Sequence, residues 1–172
     1  STPDTAAAAG AHPRILPVKP VAALLEGLGV LIAAAHRSPQ NIVVVGGGAG
    51  GVELAFALYQ RLRDEHTRVA NIHLVTDASR LLPAHSPGAA RIVERLLAER
   101  GIRLHTGCRI VKAEDDALYL EEGTRLATDW SLWTTSACAP AWLAASGLAT
   151  DTRGFVSVDD RPNTIVVAGP EE

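Results

Sequence analysis

The clearest change of hydrophobic period lies between Asn41 and Arg63. Ile42 to Val45 form a continuous apolar run, the pattern of a strand buried on both faces of a parallel sheet. Val52, Leu54, Ala55, Phe56, Leu58, Tyr59 and Leu62 then follow at helical spacing, and the segment closes on basic residues. Upstream, Ser1 to Pro13 is Ala-rich and punctuated by proline, which predicts an extended or mobile lead outside the core. Ile15 to Pro20 predicts a short extended piece, since proline pushes the residue before it out of the helical region. A helix is predicted from Pro20 to about His36, with Leu24, Leu25, Leu28, Leu31 and Ile32 on one face, although Gly27 and Gly29 weaken it.

Downstream, Asp64 to Ala70 reads as a polar connection, Asn71 to Thr76 as a second strand and Asp77 to Pro83 as a loop. Pro87 to Arg100 predicts an amphipathic helix, apolar at Ile92, Val93, Leu96 and Leu97, with Gly101 as its C-terminal stop. Ile102 to His105 alternates and predicts a third strand. Arg109 to Glu114, Ala117 to Leu120 and Arg125 to Ala127 are short runs separated by Asp115-Asp116 and Glu122-Gly123, the spacing of an antiparallel meander. Trp130 to Thr135 is apolar again and would return to the parallel sheet. Ala141 to Ser146 predicts one or two helical turns ended by Gly147, and Phe155 to Val158 and Ile165 to Ala168 predict short strands. The order predicts a three-layer α/β domain: a short parallel sheet with helices on one face and an antiparallel β-meander on the other.

Between the first parallel strand and its helix stand Gly46, Gly48 and Gly51 in the spacing G-x-G-x-x-G. Strand, glycine turn and helix in that order are the context a dinucleotide-binding fingerprint requires. Gly46 lets the chain turn off the strand, Gly48 lets a pyrophosphate approach the backbone, and Gly51 lets the helix pack closely. With Ala49 and Gly50, these residues open a helix whose free N–H groups and partial positive charge suit phosphate. A ribose-binding acid is expected at the end of the second strand, and Asp77 stands there, slightly further past Gly51 than the loose expectation of about 20 residues. Arg80 is close enough to reach a 2′-phosphate instead, so NAD and NADP both stay open, with NAD favoured by the acid.

The domain count expected at 172 residues is one. With 4% aromatic residues the core must be aliphatic, and a net charge of −3 without a dense basic run gives no electrostatic case for nucleic acid. Cys108 and Cys138 make no C-x-x-C pattern, the histidines make no metal-ligand spacing, and no serine sits in a G-x-S-x-G elbow. A cytoplasmic location is the expectation, and the apolar stretch Val21 to Ala35 is shorter than the about 20 residues a membrane span needs. The absence of methionine suggests a piece of a longer protein.

Several motifs then fall in one order: VVVGGGAGGVE, RLLP, ERGIRL, the meander, WSLWTTSA, and AWLAASGLATDTRGFVSVD. This order resembles the pyridine nucleotide-disulfide oxidoreductase superfamily of flavoproteins, and within it the branch containing type II NADH dehydrogenases. It is most similar to the flavoprotein modules found beside or fused to selenide, water dikinase, where PVKP precedes the helix before the glycine turn. The resemblance implies two nested Rossmann-like domains, one for FAD and an inserted one for NAD(P)H. The single fingerprint here, between PVKP and the meander, matches the inserted domain. Residues 1–39 would then be a lead segment and helix from the flanking FAD domain, 40–136 the Rossmann-like core, and 137–172 the return toward the FAD domain. The family closes with a strand and A-G-D, whereas this chain reads Val166-Val167-Ala168-Gly169-Pro170, so FAD is expected in the parent protein and not on this chain alone.

The resemblance also implies that Glu53 positions the nicotinamide, against the plainer reading of a favourable acid in the first helical turn. Lys19 could face the same cleft or simply be solvated. Cys108 and Cys138 read as small core or loop residues. The expected partners are a nicotinamide dinucleotide and the parent's FAD domain, with room for a homodimer. The rival expectation is a non-catalytic interaction module with a decayed site, tied to selenophosphate metabolism.

Overall fold

The computed structural model describes residues 2–3, 14–134, 137–139, 141–151 and 154–157. The expected strand Ile165 to Ala168 and the Val166 to Pro170 stretch lie outside the described residues, as does most of the lead before Arg14. In chain order the elements are β1 (Thr2–Pro3), β2 (Ile15–Pro17), α1 (Val21–Arg37), β3 (Gln40–Val45), α2 (Ala49–Asp64), β4 (Val69–Val75) and α3 (Pro87–Glu99). They continue with β5 (Ile102–His105), β6 (Ile110–Glu114), β7 (Ala117–Leu120), β8 (Arg125–Ala127), β9 (Trp130–Trp133), β10 (Ala137–Cys138) and α4 (Ala141–Ala145).

Five strands form a parallel sheet in the order β2-β9-β3-β4-β5. Strands buried on both faces need apolar side chains in both directions, and β3 divides its residues accordingly. Ile42 and Val44 join a core with Leu31 and Ala35 of α1, Val52, Ala55, Leu58 and Leu62 of α2 and Leu97 of α3. Val43 and Val45 face the opposite way and join Ile110 and Ala113 of β6, Leu118 and Leu120 of β7 and Leu126 of β8. All three long helices therefore cover one face, and the antiparallel β6-β7-β8 meander covers the other. This is the three-layer arrangement expected from the pattern.

Among the described residues, the buried side-chain polar groups are paired. Trp130 donates its indole N–H to Gln40 Oε1 at 3.0 Å, and Trp133 donates to Ser131 Oγ at 3.0 Å. Asp129 ties the starts of β9 and β3 together, accepting at Oδ2 from the Asn41 backbone N–H at 2.7 Å. The α3 helix begins as its sequence demands: Ser86 Oγ accepts from the Ala89 N–H at 3.2 Å, with Pro87 at the first helical position. Gly101, at φ 70°, ends it in the left-handed region that favours glycine.

Several expectations need correction. Leu25 and Ile92 are exposed, at 63% and 54%, because the buried stripes of α1 and α3 are narrower than their apolar runs. The second strand begins at Val69, where Asp64 to Ala70 read as a polar connection: Val69 pairs with Gln40, and Arg68 donates its N–H to Ala35 O at 2.9 Å. Thr2–Pro3 is not merely a lead, since its extended backbone pairs antiparallel with Ala137–Cys138. Residues 15–37 supply an edge strand and a packed helix to the main sheet and core. Of the Phe155 to Val158 strand, Val156 makes one isolated bridge to Thr150, and Val158 lies outside the described residues. Among the described residues, no helix is long and apolar enough to cross a membrane.

Candidate functional site

β3, β4 and β9 end together at Val45, Val75 and Trp133, and a cleft of about 520 Å³ opens at that edge. From β3 the chain crosses through α2 to β4 on one side, while β9 lies on the other. The crevice thus sits where strand order reverses, outside the carboxyl ends of parallel strands, which is where α/β sheets hold ligands. Its wall includes the Gly46 to Gly48 turn, Asp77, Cys108, Arg109 and Thr134.

The turn's glycines have separate causes. Gly46 has φ 120°, a left-handed conformation that side chains rarely adopt. A Cβ on Gly51 would overlap the Gly46 carbonyl oxygen, and one on Gly47 would come within 2.7 Å of the Thr76 side chain. Gly48, the N-cap of α2, has φ −76°, and a Cβ there would meet nothing within 4 Å. Gly46, Gly47 and Gly51 thus serve the fold, while Gly48 leaves open space at the start of a helix. The turn is braced from the β4 side by two bonds, and from the β9 side the Thr134 N–H donates to Val45 O at 2.8 Å. The Leu82 N–H donates to Gly47 O at 2.8 Å, and the Gly46 N–H donates to Val75 O at 2.8 Å. At the start of α2, the first-turn N–H groups have no intrahelical acceptors, so the open space faces donors suited to a pyrophosphate.

The other expected site residues divide. Asp77 is exposed on the cleft wall, two residues past the end of β4. Arg80 folds back on its own loop and donates to the carbonyl oxygens of Leu82, Pro83 and His85 at 3.2, 2.7 and 3.0 Å. Ala49, Gly50 and Gly51 form the first turn of α2 and are not part of the cleft wall. Glu53 is exposed and not in that first turn, contrary to the expectation, because α2 begins at Ala49 and Gly51 is already its third residue. Lys19 is exposed and is not part of the cleft wall.

Sequence reasoning missed Gly47, Thr76, Arg109 and Thr134. Thr76 and Thr134 directly follow parallel strands, a position that could have singled them out. It also missed a histidine pair. His73 and His105, on neighbouring β4 and β5, lie with Nδ1 and Nε2 2.8 Å apart and their rings stacked at 18°. Burial, then the His105 and Arg103 charges, pull His73 down to about 4. His105 is lowered too, by burial first, with Glu122 opposing and Arg103 adding. Cys108 is half-buried, and its thiol donates to Thr106 O at 3.2 Å; burial and then Glu122 push that thiol up. It is the reverse of an activated thiolate. The side chain of Cys138 lies outside the described residues. Among the described residues, no group of three His, Cys, Asp or Glu side chains could hold a metal ion.

The family described as pyridine nucleotide-disulphide oxidoreductase matches residues 7–169. Dihydrolipoyl dehydrogenase of Bacillus subtilis is 32% identical over 114 residues, which are 64% of this chain and 22% of that protein. An NADH dehydrogenase-like protein of Mycobacterium tuberculosis is 30% identical over 146 residues, 79% of this chain and 34% of that protein. The chain therefore spans about a quarter to a third of these relatives. The water-forming NADH oxidase of Lactobacillus brevis, solved with NADH, shares the fold at a TM-score of 0.67 and 18% identity, over 87% of this chain and 32% of that one. Its engineered NADPH-bound variant matches at a TM-score of 0.66 and 16% identity, over 86% of this chain and 30% of that one.

Proposed function

Because this chain belongs to the pyridine nucleotide-disulphide oxidoreductase family, we propose that it is the NAD(P)H-binding domain of an FAD-dependent oxidoreductase, with a preference for NADH. The observation that carries this reading is the glycine turn at the carboxyl edge of the sheet, braced on both sides and open at Gly48. Gly46, Gly48, Ala49, Gly50 and Gly51 would hold the pyrophosphate against the start of α2. Asp77 would accept hydrogen bonds from both hydroxyls of the adenosine ribose. A bound nicotinamide would supply hydride chemistry, and the chain's own contribution is to bind and orient it toward a flavin held elsewhere.

Two observations favour NADH. Arg80 spends its donors on the carbonyls of its own loop and so is not held out toward a 2′-phosphate. The NADPH-bound variant of the Lactobacillus oxidase carries, among its substitutions, an adjacent Asp→Ala and Ala→Arg. This chain has an Asp77-Ala78 pair just past the end of the second strand of its fingerprint. The antiparallel pairing of Thr2–Pro3 with Ala137–Cys138 supports an inserted domain, since it brings entering and leaving segments side by side. In that reading, 40–136 carry the fingerprint, meander and return strand, and 1–39 and 137–172 lead from and return to the FAD domain, with 15–37 packing onto the core on the way.

Titration of NADH, NADPH and FAD into the chain by calorimetry tests this. NADH should bind, and NADPH should bind at least about tenfold more weakly, roughly 1.4 kcal/mol. Absence of heat with NADH at millimolar concentration would refute the reading and favour an interaction module.

A further inference from the structure

We propose that Thr134 is a positioning residue for the dinucleotide: its hydroxyl fastens the glycine turn to β9 and so sets where the turn's backbone meets a pyrophosphate. The inference rests on the reading of that turn as the dinucleotide site. Parallel β3 and β9 part company after Val45 and Trp133, and Thr134 bridges them at that point. Its backbone N–H and its Oγ1 both donate to Val45 O, at 2.8 and 2.9 Å, and Oγ1 lies 3.4 Å from Gly46 O. One carbonyl oxygen thus receives two donors from a single residue, which fills both of its acceptor directions.

The hydroxyl occupies space that exists only because two other positions are glycine. A Cβ on Gly46 would overlap Thr134 Oγ1, and a Cβ on Gly51 would come within 2.8 Å of it while overlapping Gly46 O. The end of β3, the start of α2 and the end of β9 therefore meet at one oxygen atom. On the opposite flank the Leu82 N–H holds Gly47 O at 2.8 Å. The consequence is electrostatic. A phosphate binds where backbone N–H groups converge, and a carbonyl oxygen swung into that space would repel it. Thr134 on Val45 O and Leu82 on Gly47 O together hold back the two carbonyls that flank Gly46. Loss of the Thr134 hydroxyl leaves Val45 O one donor from the backbone, so no acceptor is orphaned and the fold is retained. What is lost is the second donor on Val45 O, the carbonyl of the peptide that leads into Gly46.

Thr134→Val removes the hydroxyl and keeps the shape; Thr134→Ser keeps the hydroxyl and removes the methyl. Measured by calorimetry on the full 172-residue chain, Thr134→Val should weaken NADH and ADP-ribose about tenfold, in line with a lost hydrogen bond that organises charged-group binding. AMP, which lacks the pyrophosphate, should bind as to the wild type, and Thr134→Ser should restore NADH binding. If Thr134→Val does not fold, Thr134→Ala carries the same expectation. Unchanged NADH affinity in Thr134→Val, an equal loss in Thr134→Ser, or a parallel loss for AMP would each overturn the proposal while leaving the dinucleotide reading intact. A wild-type chain that binds no NADH would overturn both.

Discussion

Gly48 and Gly51 look alike in the motif but answer to different constraints. Gly51→Ala would drive a Cβ into the Gly46 carbonyl oxygen, a backbone atom with nowhere to go. It should destabilise the chain by about 1–3 kcal/mol, the usual range for overpacking, and abolish NADH binding. Gly48→Ala places its Cβ in open space at an ordinary φ of −76°. It should leave the melting temperature unchanged and still weaken NADH, because the added methyl stands where a pyrophosphate approaches. Thermal melts with calorimetry on both variants separate the two; a stable Gly51→Ala, or a Gly48→Ala with full affinity, would contradict this division. The spacing of the glycines was legible in the sequence, since a tight turn demands it locally. The division of Gly48 to the ligand and of Gly46 and Gly51 to the fold was legible with it; the side chains these positions meet were not, because Thr134 arrives from a distant strand.

At the scale of elements, the meander seals the sheet face on which the histidine pair sits. Val43 pairs with His73 and Val75 with His105, and Val43 and Val75 both pack against the meander. The folded pKa of His73 is lowered to about 4 from 6.5, by burial first and then by His105 and Arg103. As pH falls below about 6.5 the unfolded chain takes up a proton that the folded chain refuses, so stability is lost down to about pH 4 and is complete above 6.5. The loss should approach about 3 kcal/mol at its largest. Urea unfolding at pH 7.5 and pH 4.5 measures it, and His73→Gln should flatten the difference; an equally steep dependence in that variant would discount the pair. The three meander strands were readable from short alternating runs and turn residues. The pair was not, because His73 and His105 are 32 residues apart and only the β4-β5 register brings their rings together.

Across the whole molecule, one cleft lies at the carboxyl edge and no described side-chain cluster there offers a metal or an activated nucleophile. A bound nicotinamide needs an acceptor held against it, and this chain carries a single glycine fingerprint. Incubated with NADH and a dye acceptor, the chain should consume no NADH above background; turnover without an added flavin domain would overturn that expectation. On the function proposed above, turnover should begin once the flavin-bearing domain proposed for its parent protein is added.

The sequence by itself determined the elements and their layers, since a buried strand, an amphipathic helix and a glycine turn are each specified by residues a few positions apart. β3, α2, α3, β7 and β8 were legible for that reason. The tertiary structure alone decided which strands became neighbours and what that neighbourhood did to side chains. β9 entering between β2 and β3 brings Thr134 onto Val45 across 89 residues, and Arg80, within reach of a phosphate by sequence distance, turns inward to three carbonyl groups of its own loop. Hydrogen-bonding groups take the partners that folding places beside them, and no local pattern of apolar and polar residues records which those will be.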